Sequence, residues 1–234
     1  MIAESLARPG GWRAMEYVYD NVEPTDWLDR QALRDNPLSL AARNRRQIVT
    51  RLLTGLIVRY SAESQVTILG VGAGPGNHVR SAILASGLSP DRIRAYLMDL
   101  DDDAFEFGRK QAAKVGLAGC IRFLQGDARH IRDVLPDVSA QIVKLIGLIE
   151  YLTDAQLVDL LQSLRGVMAP GGSLVTHGFN DVYGIRRFLA RVFNLRHQRR
   201  SLAQLTAILE STGFKIVQTV PEPTGIHPIV VAER

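Results

Sequence analysis

The sequence predicts an α/β fold, a sheet with helices on both faces and a ligand crevice at the carboxyl ends of its central strands. Three observations predict it. Strand-like apolar runs alternate with helical runs through most of the 234 residues, the pattern of a sheet covered on both sides. One strand-to-helix junction, Gly70-Val-Gly-Ala-Gly-Pro-Gly76, is built largely of glycine, which lets backbone approach a nucleotide-like ligand at a helix N-terminus. The next strand-like run ends in Asp99, about twenty residues further on, where a doubly wound fold carries the carboxylate that binds ribose hydroxyls.

Residues 1–36 form an irregular leader that contains both tryptophans, Trp12 and Trp27, with Tyr17 and Tyr19. A disordered tail is poor in aromatic residues, so this segment is expected to pack on the main domain, with a turn over 21–26 and a helix cap at Thr25 or Asp26. Pro37 to Tyr60 has helical spacing, with Leu40, Ile48, Leu52, Leu53, Leu56 and Ile57 on one stripe and arginines between them. Gln65 to Leu69 is the first strand, and the helix His78 to Ser86 follows the glycines. Ile93 to Met98 is the second strand, and Asp101, Asp102 and Asp103 open the next helix, where carboxylates suit the macrodipole. Cys120 to Gln125 is the third strand, followed by Gly126-Asp127-Ala128. The fourth run extends from Ala140 to Ile149 and ends at Glu150. Thr153 or Asp154 caps a helix to Met168, and Ala169-Pro-Gly-Gly172 stops it. Ser173 to Phe179 is the fifth strand, leading into Asn180. A basic helical region and a helix from Leu202 to Ser211 precede two last strands, 214–219 and 226–232.

No apolar run approaches the ~20 residues that span a bilayer, and the start lacks a basic segment followed by an apolar one. A single cysteine, Cys120, suits a reducing cytoplasm. Net charge is +4, and much of the excess lies in Arg186, Arg187, Arg191, Arg196, Arg199 and Arg200. A solvated helix face is the ordinary meaning of such a cluster, and nucleic acid is not the expected partner, since no interleaved aromatics accompany it. The histidines and the lone cysteine show no metal-ligand spacing.

From about Ser64 onward the chain resembles the class I S-adenosylmethionine-dependent methyltransferases. The resemblance rests on Gly70-Val-Gly-Ala-Gly-Pro-Gly76, Asp99, Gly126-Asp127-Ala128, Met168-Ala-Pro-Gly-Gly172 and the ending around Ser211-Thr-Gly-Phe214. It implies a Rossmann-like class I methyltransferase fold, a mostly parallel seven-stranded sheet with an antiparallel C-terminal strand. Residues 1–60 would then be an N-terminal helical and aromatic cap with its leading helix, and 61–234 the cofactor domain. It also implies S-adenosylmethionine as cofactor. Gly70, Gly72 and Gly74 would serve its methionine portion, Asp99 with Leu100 the ribose, and Asp127 with Ala128 the adenine. Ile146 and Gly147 would line the methionine side. Such proteins usually carry an acid where this chain has Gly70, which leaves the recognition of the amino-acid end open.

The sulfonium of that cofactor is already activated, so alignment of a nucleophile and exclusion of water supply most of the rate. Methyl transfer to a small metabolite or natural product is the first expectation, with Glu150, Asn180, Tyr183 or His177 as candidate catalytic groups. The second resembles the azetidine-2-carboxylate synthases: the cofactor's own amino group closes a four-membered ring while Trp12, Tyr17 and Tyr19 cage the sulfonium. Binding of S-adenosylmethionine without catalysis is the third.

Overall fold

The computed structural model describes residues 2–8, 10–62 and 64–234. Seven strands, β1 (Val66–Val71), β2 (Ile93–Asp99), β3 (Ile121–Gln125), β4 (Ala140–Leu145), β5 (Met168–His177), β6 (Lys215–Val220) and β7 (Ile229–Glu233), form one sheet in the order β3-β2-β1-β4-β5-β7-β6. The first five pair in parallel, and β7 runs antiparallel between β5 and β6. The inner strands read as apolar runs because both faces are covered. The helices α4 (Pro37–Ser61) and α5 (Asn77–Ser86) close one face with Val49, Leu53, Ile57, Val79 and Ile83. On the other face α8 (Asp154–Val167) and α10 (Leu202–Ser211) contribute Leu157, Leu160, Leu161, Leu205 and Leu209. Strand order reverses between β1 and β4, so the crevice opens at their carboxyl ends.

Thr153 caps its helix as the sequence predicts, and Asn36 and Ser201 cap two others. Asn36 accepts from Ser39 N at 2.9 Å at the head of α4, with Pro37 at the first helical position. Thr153 and Ser201 each form a reciprocal capping box, with Gln156 and Gln204.

Several boundaries differ from the sequence reading. The leader is not irregular: α1 (Ile2–Ala7) and α2 (Trp12–Tyr19) are helices, and α3 (Trp27–Asp29) continues as a wide π-type turn over Arg30–Arg34. Asp26 is the cap, accepting from Asp29 N at 2.8 Å. Glycines and a proline around 9–11 mask the helical spacing on either side. The fourth strand stops at Leu145, because Gly147 turns the chain at φ +83° into a short helical turn, Ile149–Tyr151. The fifth begins at Met168, with a pairing irregularity between Ala140↔Met168 and Ile142↔Ser173 that holds the Pro-Gly-Gly segment. The last starts at Ile229, immediately after Pro228, which has no N–H for a ladder.

The basic segment is helical only in α9 (Ile185–Val192), and its arginines do not share one role. Arg200 is buried and clamps the 149–154 turn. Its Nη1 donates to Ile149 O and its Nη2 to Leu152 O, each at 2.7 Å, and its Nε donates to Asp154 Oδ1 at 2.8 Å. A third, smaller core joins Leu33 of the leader and Ala41 of α4 to Phe179, Ile185, Leu189, Phe193 and Ile226. No helix among the described residues is long and apolar enough to cross a membrane.

Candidate active site

Beyond Val71 the chain turns through Gly72, at φ +56°, and reaches α5 through Gly76, at φ +78°. Both positions are closed to a side chain. A Cβ on Gly72 would lie 2.9 Å from Leu148 Cβ, and one on Gly76 2.4 Å from Leu97 Cδ1. Asp99 fixes the loop from the end of β2. One carboxylate oxygen accepts from Gly74 N at 2.7 Å, and the other from Leu100 N at 2.8 Å and Asp101 N at 3.2 Å.

A cavity of about 780 Å³ lies against this loop, within the usual range for small-molecule sites. Its walls bring together Gly72, Gly74, Asp99, Leu100, Asp127, Ala128, Ile146, Gly147 and Glu150. Trp12 and Tyr19 of α2 also line it, and a Cβ on Gly74 would meet only Trp12 Cβ, at 3.8 Å, so α2 roofs the glycine loop. Phe179, Leu189, Phe193 and Leu33 supply an apolar wall.

Charged groups line the same space. Arg45 of α4 is buried, with Nη1 3.8 Å from Glu150 Oε1 and Nη2 donating to Tyr19 Oη at 3.4 Å. His177 Nδ1 faces Gly178 O at 2.8 Å, and a carbonyl only accepts, so Nδ1 carries the hydrogen. Its Nε2 then accepts from Gly147 N at 3.2 Å and Arg45 Nη1 at 3.3 Å. Glu150 Oε2, 3.5 Å from that nitrogen, therefore gains no hydrogen bond there. Burial pushes the Glu150 carboxyl up, while His177 and, after it, the Arg45 guanidinium bring it below the usual carboxylate range. Burial pulls the Lys144 ammonium down to about 8, against the pull of Asp99. Burial likewise holds His78, His197 and His227 below the ordinary imidazole value. Unpartnered buried atoms remain on Trp12 (Nε1), Arg45 (Nε), His78 (Nε2), Glu150 (Oε2), His227 (Nδ1) and both ring nitrogens of His197.

Four of the residues singled out in the sequence lie elsewhere. Gly70 is beneath the loop, where a Cβ would meet Leu97 Cδ2 at 2.7 Å. Tyr17 faces outward, on a shallow groove with Glu106 and Lys110. Asn180 donates to Gly225 O at 2.7 Å and holds the turn before β7. Tyr183 is 68% exposed, at the positive-φ turn before α9. The Trp12–Tyr17–Tyr19 cage is thus not assembled. The Trp12 ring is taken up by Phe107, with centroids 5.0 Å apart, and by the Arg13 guanidinium at 4.7 Å. Asp127 is engaged by Arg129, whose Nε donates at 2.9 Å; that bond lowers the carboxyl. His177 serves as a packed and hydrogen-bonded link between β5 and the 146–150 turn. The sequence reading passed over Arg45, Lys144, His78, His197 and His227 as site residues. Signals existed for two of them: Arg45 falls on the apolar stripe of its helix, and Lys144 is a lone charge inside an apolar strand.

Residues 68–172 match a family described as "Methyltransferase domain". No curated protein matches the chain. Among solved structures, a possible exported protein from Bordetella parapertussis is 21% identical, with 100% of this chain and 84% of that one covered and a TM-score of 0.81. Magnesium protoporphyrin IX methyltransferase from Synechocystis PCC 6803 with bound SAH is 14% identical, with 99% and 97% covered and a TM-score of 0.70. An O-methyltransferase family protein from Burkholderia thailandensis is 14% identical, with 95% and 68% covered and a TM-score of 0.64. At such identities the likeness carries the fold.

Proposed function

We propose that this chain, whose residues 68–172 match a methyltransferase-domain family, uses S-adenosylmethionine to methylate a small-molecule nucleophile held at the Glu150 end of the cavity. One observation carries the reading. The cavity that meets the glycine loop and Asp99 also takes in a second wall, apolar in Phe179, Leu189 and Phe193, with unmet polar atoms on Glu150 and His197.

The lining fits the cofactor. Gly74 leaves room for a ligand, since even a Cβ there would meet only Trp12 Cβ, at 3.8 Å, and Asp99 at the strand end keeps about one of its roughly four acceptor positions beyond its three N–H partners. Gly72, Gly74, Ile146 and Gly147 would bear the amino-acid portion, Asp99 and Leu100 the ribose, and Asp127 with Ala128 the adenine. When bound, the cofactor supplies a methyl group on a sulfonium. The protein's tasks are then to align the nucleophile and exclude water. Glu150, ionised and oriented by Arg45, would hold the nucleophile's O–H or N–H. His197, neutral and with both ring nitrogens unpaired, would accept its proton at one of them. The roof of α1 and α2 would keep water out.

Self-cyclisation of the cofactor asks three leader rings to converge on the sulfonium. Tyr17 faces away and Trp12 is covered, so transfer to a separate acceptor is preferred.

The test is mass spectrometry of the protein with S-adenosylmethionine alone, then with panels of small hydroxy and amino compounds. Adenosylhomocysteine that appears only with an acceptor supports the reading, and His197→Gln should then lower kcat about 100-fold while cofactor affinity holds. Methylthioadenosine with a cyclic amino acid, from cofactor alone, overturns it. Cofactor that binds and never turns over also overturns it.

A further inference from the structure

Lys144 is a buried cation that forms no ion pair among the described residues. It lies next to the last residue of β4, is 2% exposed, and stands directly across from Gly70 on β1 and Val175 on β5. Gly70 offers no side chain, so the ammonium turns to the loops above. Its Nζ donates to Gly72 O at 3.0 Å and to Ile146 O at 3.0 Å. Among the described residues it makes no further hydrogen bond and no ion pair, which leaves one of its three N–H groups unspent on the cavity wall.

The nearby carboxylates do not neutralise it at contact distance. Asp99 is occupied by three backbone N–H groups, and Glu150 faces Arg45. A desolvated ammonium held only by two carbonyls is costly unless an anion completes its shell. The same two carbonyls, one from the glycine loop and one from the exit of β4, are the acceptors that a ligand's ammonium would find where the two loops meet. They are already taken, by a positive charge.

We infer that Lys144 Nζ is the anchor for the carboxylate of the cofactor's amino-acid end, which is therefore held by its anionic group, with the protein's own ammonium in the carbonyl cradle. This rests on the reading that S-adenosylmethionine lies along the glycine loop. It makes Lys144 a binding residue and assigns it no part in proton transfer. It also accounts for the missing acid at Gly70: a carboxylate on that rung would stand beside Lys144 and quench the charge the ligand needs.

Calorimetry with three ligands separates the possibilities: adenosylhomocysteine, the decarboxylated analogue of S-adenosylmethionine, and methylthioadenosine, which lacks the whole amino-acid end. The wild-type chain should bind adenosylhomocysteine about 10- to 100-fold more tightly than the decarboxylated analogue. Lys144→Met and Lys144→Gln should erase that preference and leave methylthioadenosine within about twofold of wild type. The glutamine variant keeps a donor for one carbonyl, so the loop survives if the methionine variant fails to fold. Equal wild-type affinity for the carboxylated and decarboxylated ligands overturns the inference without any variant. So does a parallel loss of methylthioadenosine binding in both variants, which would make Lys144 a loop brace only. If the wild-type chain binds none of the three, the cofactor reading itself falls, and this inference with it.

Discussion

Replacing Asp99 by alanine should damage the protein before any ligand is present. The carboxylate accepts from Gly74 N at 2.7 Å, Leu100 N at 2.8 Å and Asp101 N at 3.2 Å, and so ties the glycine loop to the end of β2. The first two are short bonds whose donors lose their acceptor; at about 1–1.5 kcal/mol net each, the loss is about 2–3 kcal/mol. The third is longer and adds little. For a chain of this size that lowers Tm by about 4–12 °C. Thermal melts of the apo protein followed by circular dichroism would read it, with Asp99→Asn as the control that keeps one acceptor oxygen and should lose roughly half as much. Binding of methylthioadenosine, measured separately at a temperature where the variant is folded, should fall at least tenfold. An unchanged apo Tm for Asp99→Ala would refute the claim that this side chain builds the loop, even if binding fell as expected.

Arg200→Ala leaves Leu152 O without the Arg200 donor and Ile149 O with only Leu152 N, at 3.3 Å; urea unfolding should show a loss of about 2–4 kcal/mol, whereas the bond to the exposed Asp154 adds little. Gly72→Ala forces φ +56° on a residue with a Cβ 2.9 Å from Leu148 Cβ; it should cost about 1–3 kcal/mol and weaken adenosylhomocysteine in titration. Lys144 gives a pH dependence with a definite sign. Its ammonium titrates near 8 when folded against an ordinary 10.5, so between those values the unfolded chain binds more protons and stability rises with pH. Urea midpoints from pH 8 to 10.5 should therefore rise by an increment, on the order of 2–3 kcal/mol, that Lys144→Gln lacks. Identical slopes in the two proteins would exclude it.

What the sequence displayed was local. The glycine junction, Asp99 at a strand end, Asp127 after the next strand and the capping residue Thr153 each announce themselves within a few positions. Their roles follow from backbone conformation and helix ends, which are short-range physics. Arg45, Lys144, His197 and His227 are different, because their meaning depends on which elements become neighbours. Arg45 reaches His177 across 132 residues of chain, and Lys144 meets Gly72 O across 72. Only the reversal of strand order beside β1 brings them together. The leader misled for the opposite reason, since two short helices separated by Gly10 and Gly11 offer too few turns for a period to show.

The two ends of the cavity are unequally open. Leu100 is 68% exposed beside the cofactor wall, whereas Phe179, Phe193, Glu150 and His227 at the other end lie between 3% and 6%. A cofactor bound along the glycine loop, as proposed, would lie between that open end and the buried one. Traffic through such a site has a compulsory sequence: acceptor first, cofactor second, with departure in reverse order. In a steady-state experiment the methylated product, last to leave, would then compete with the acceptor, and the demethylated cofactor would leave before it.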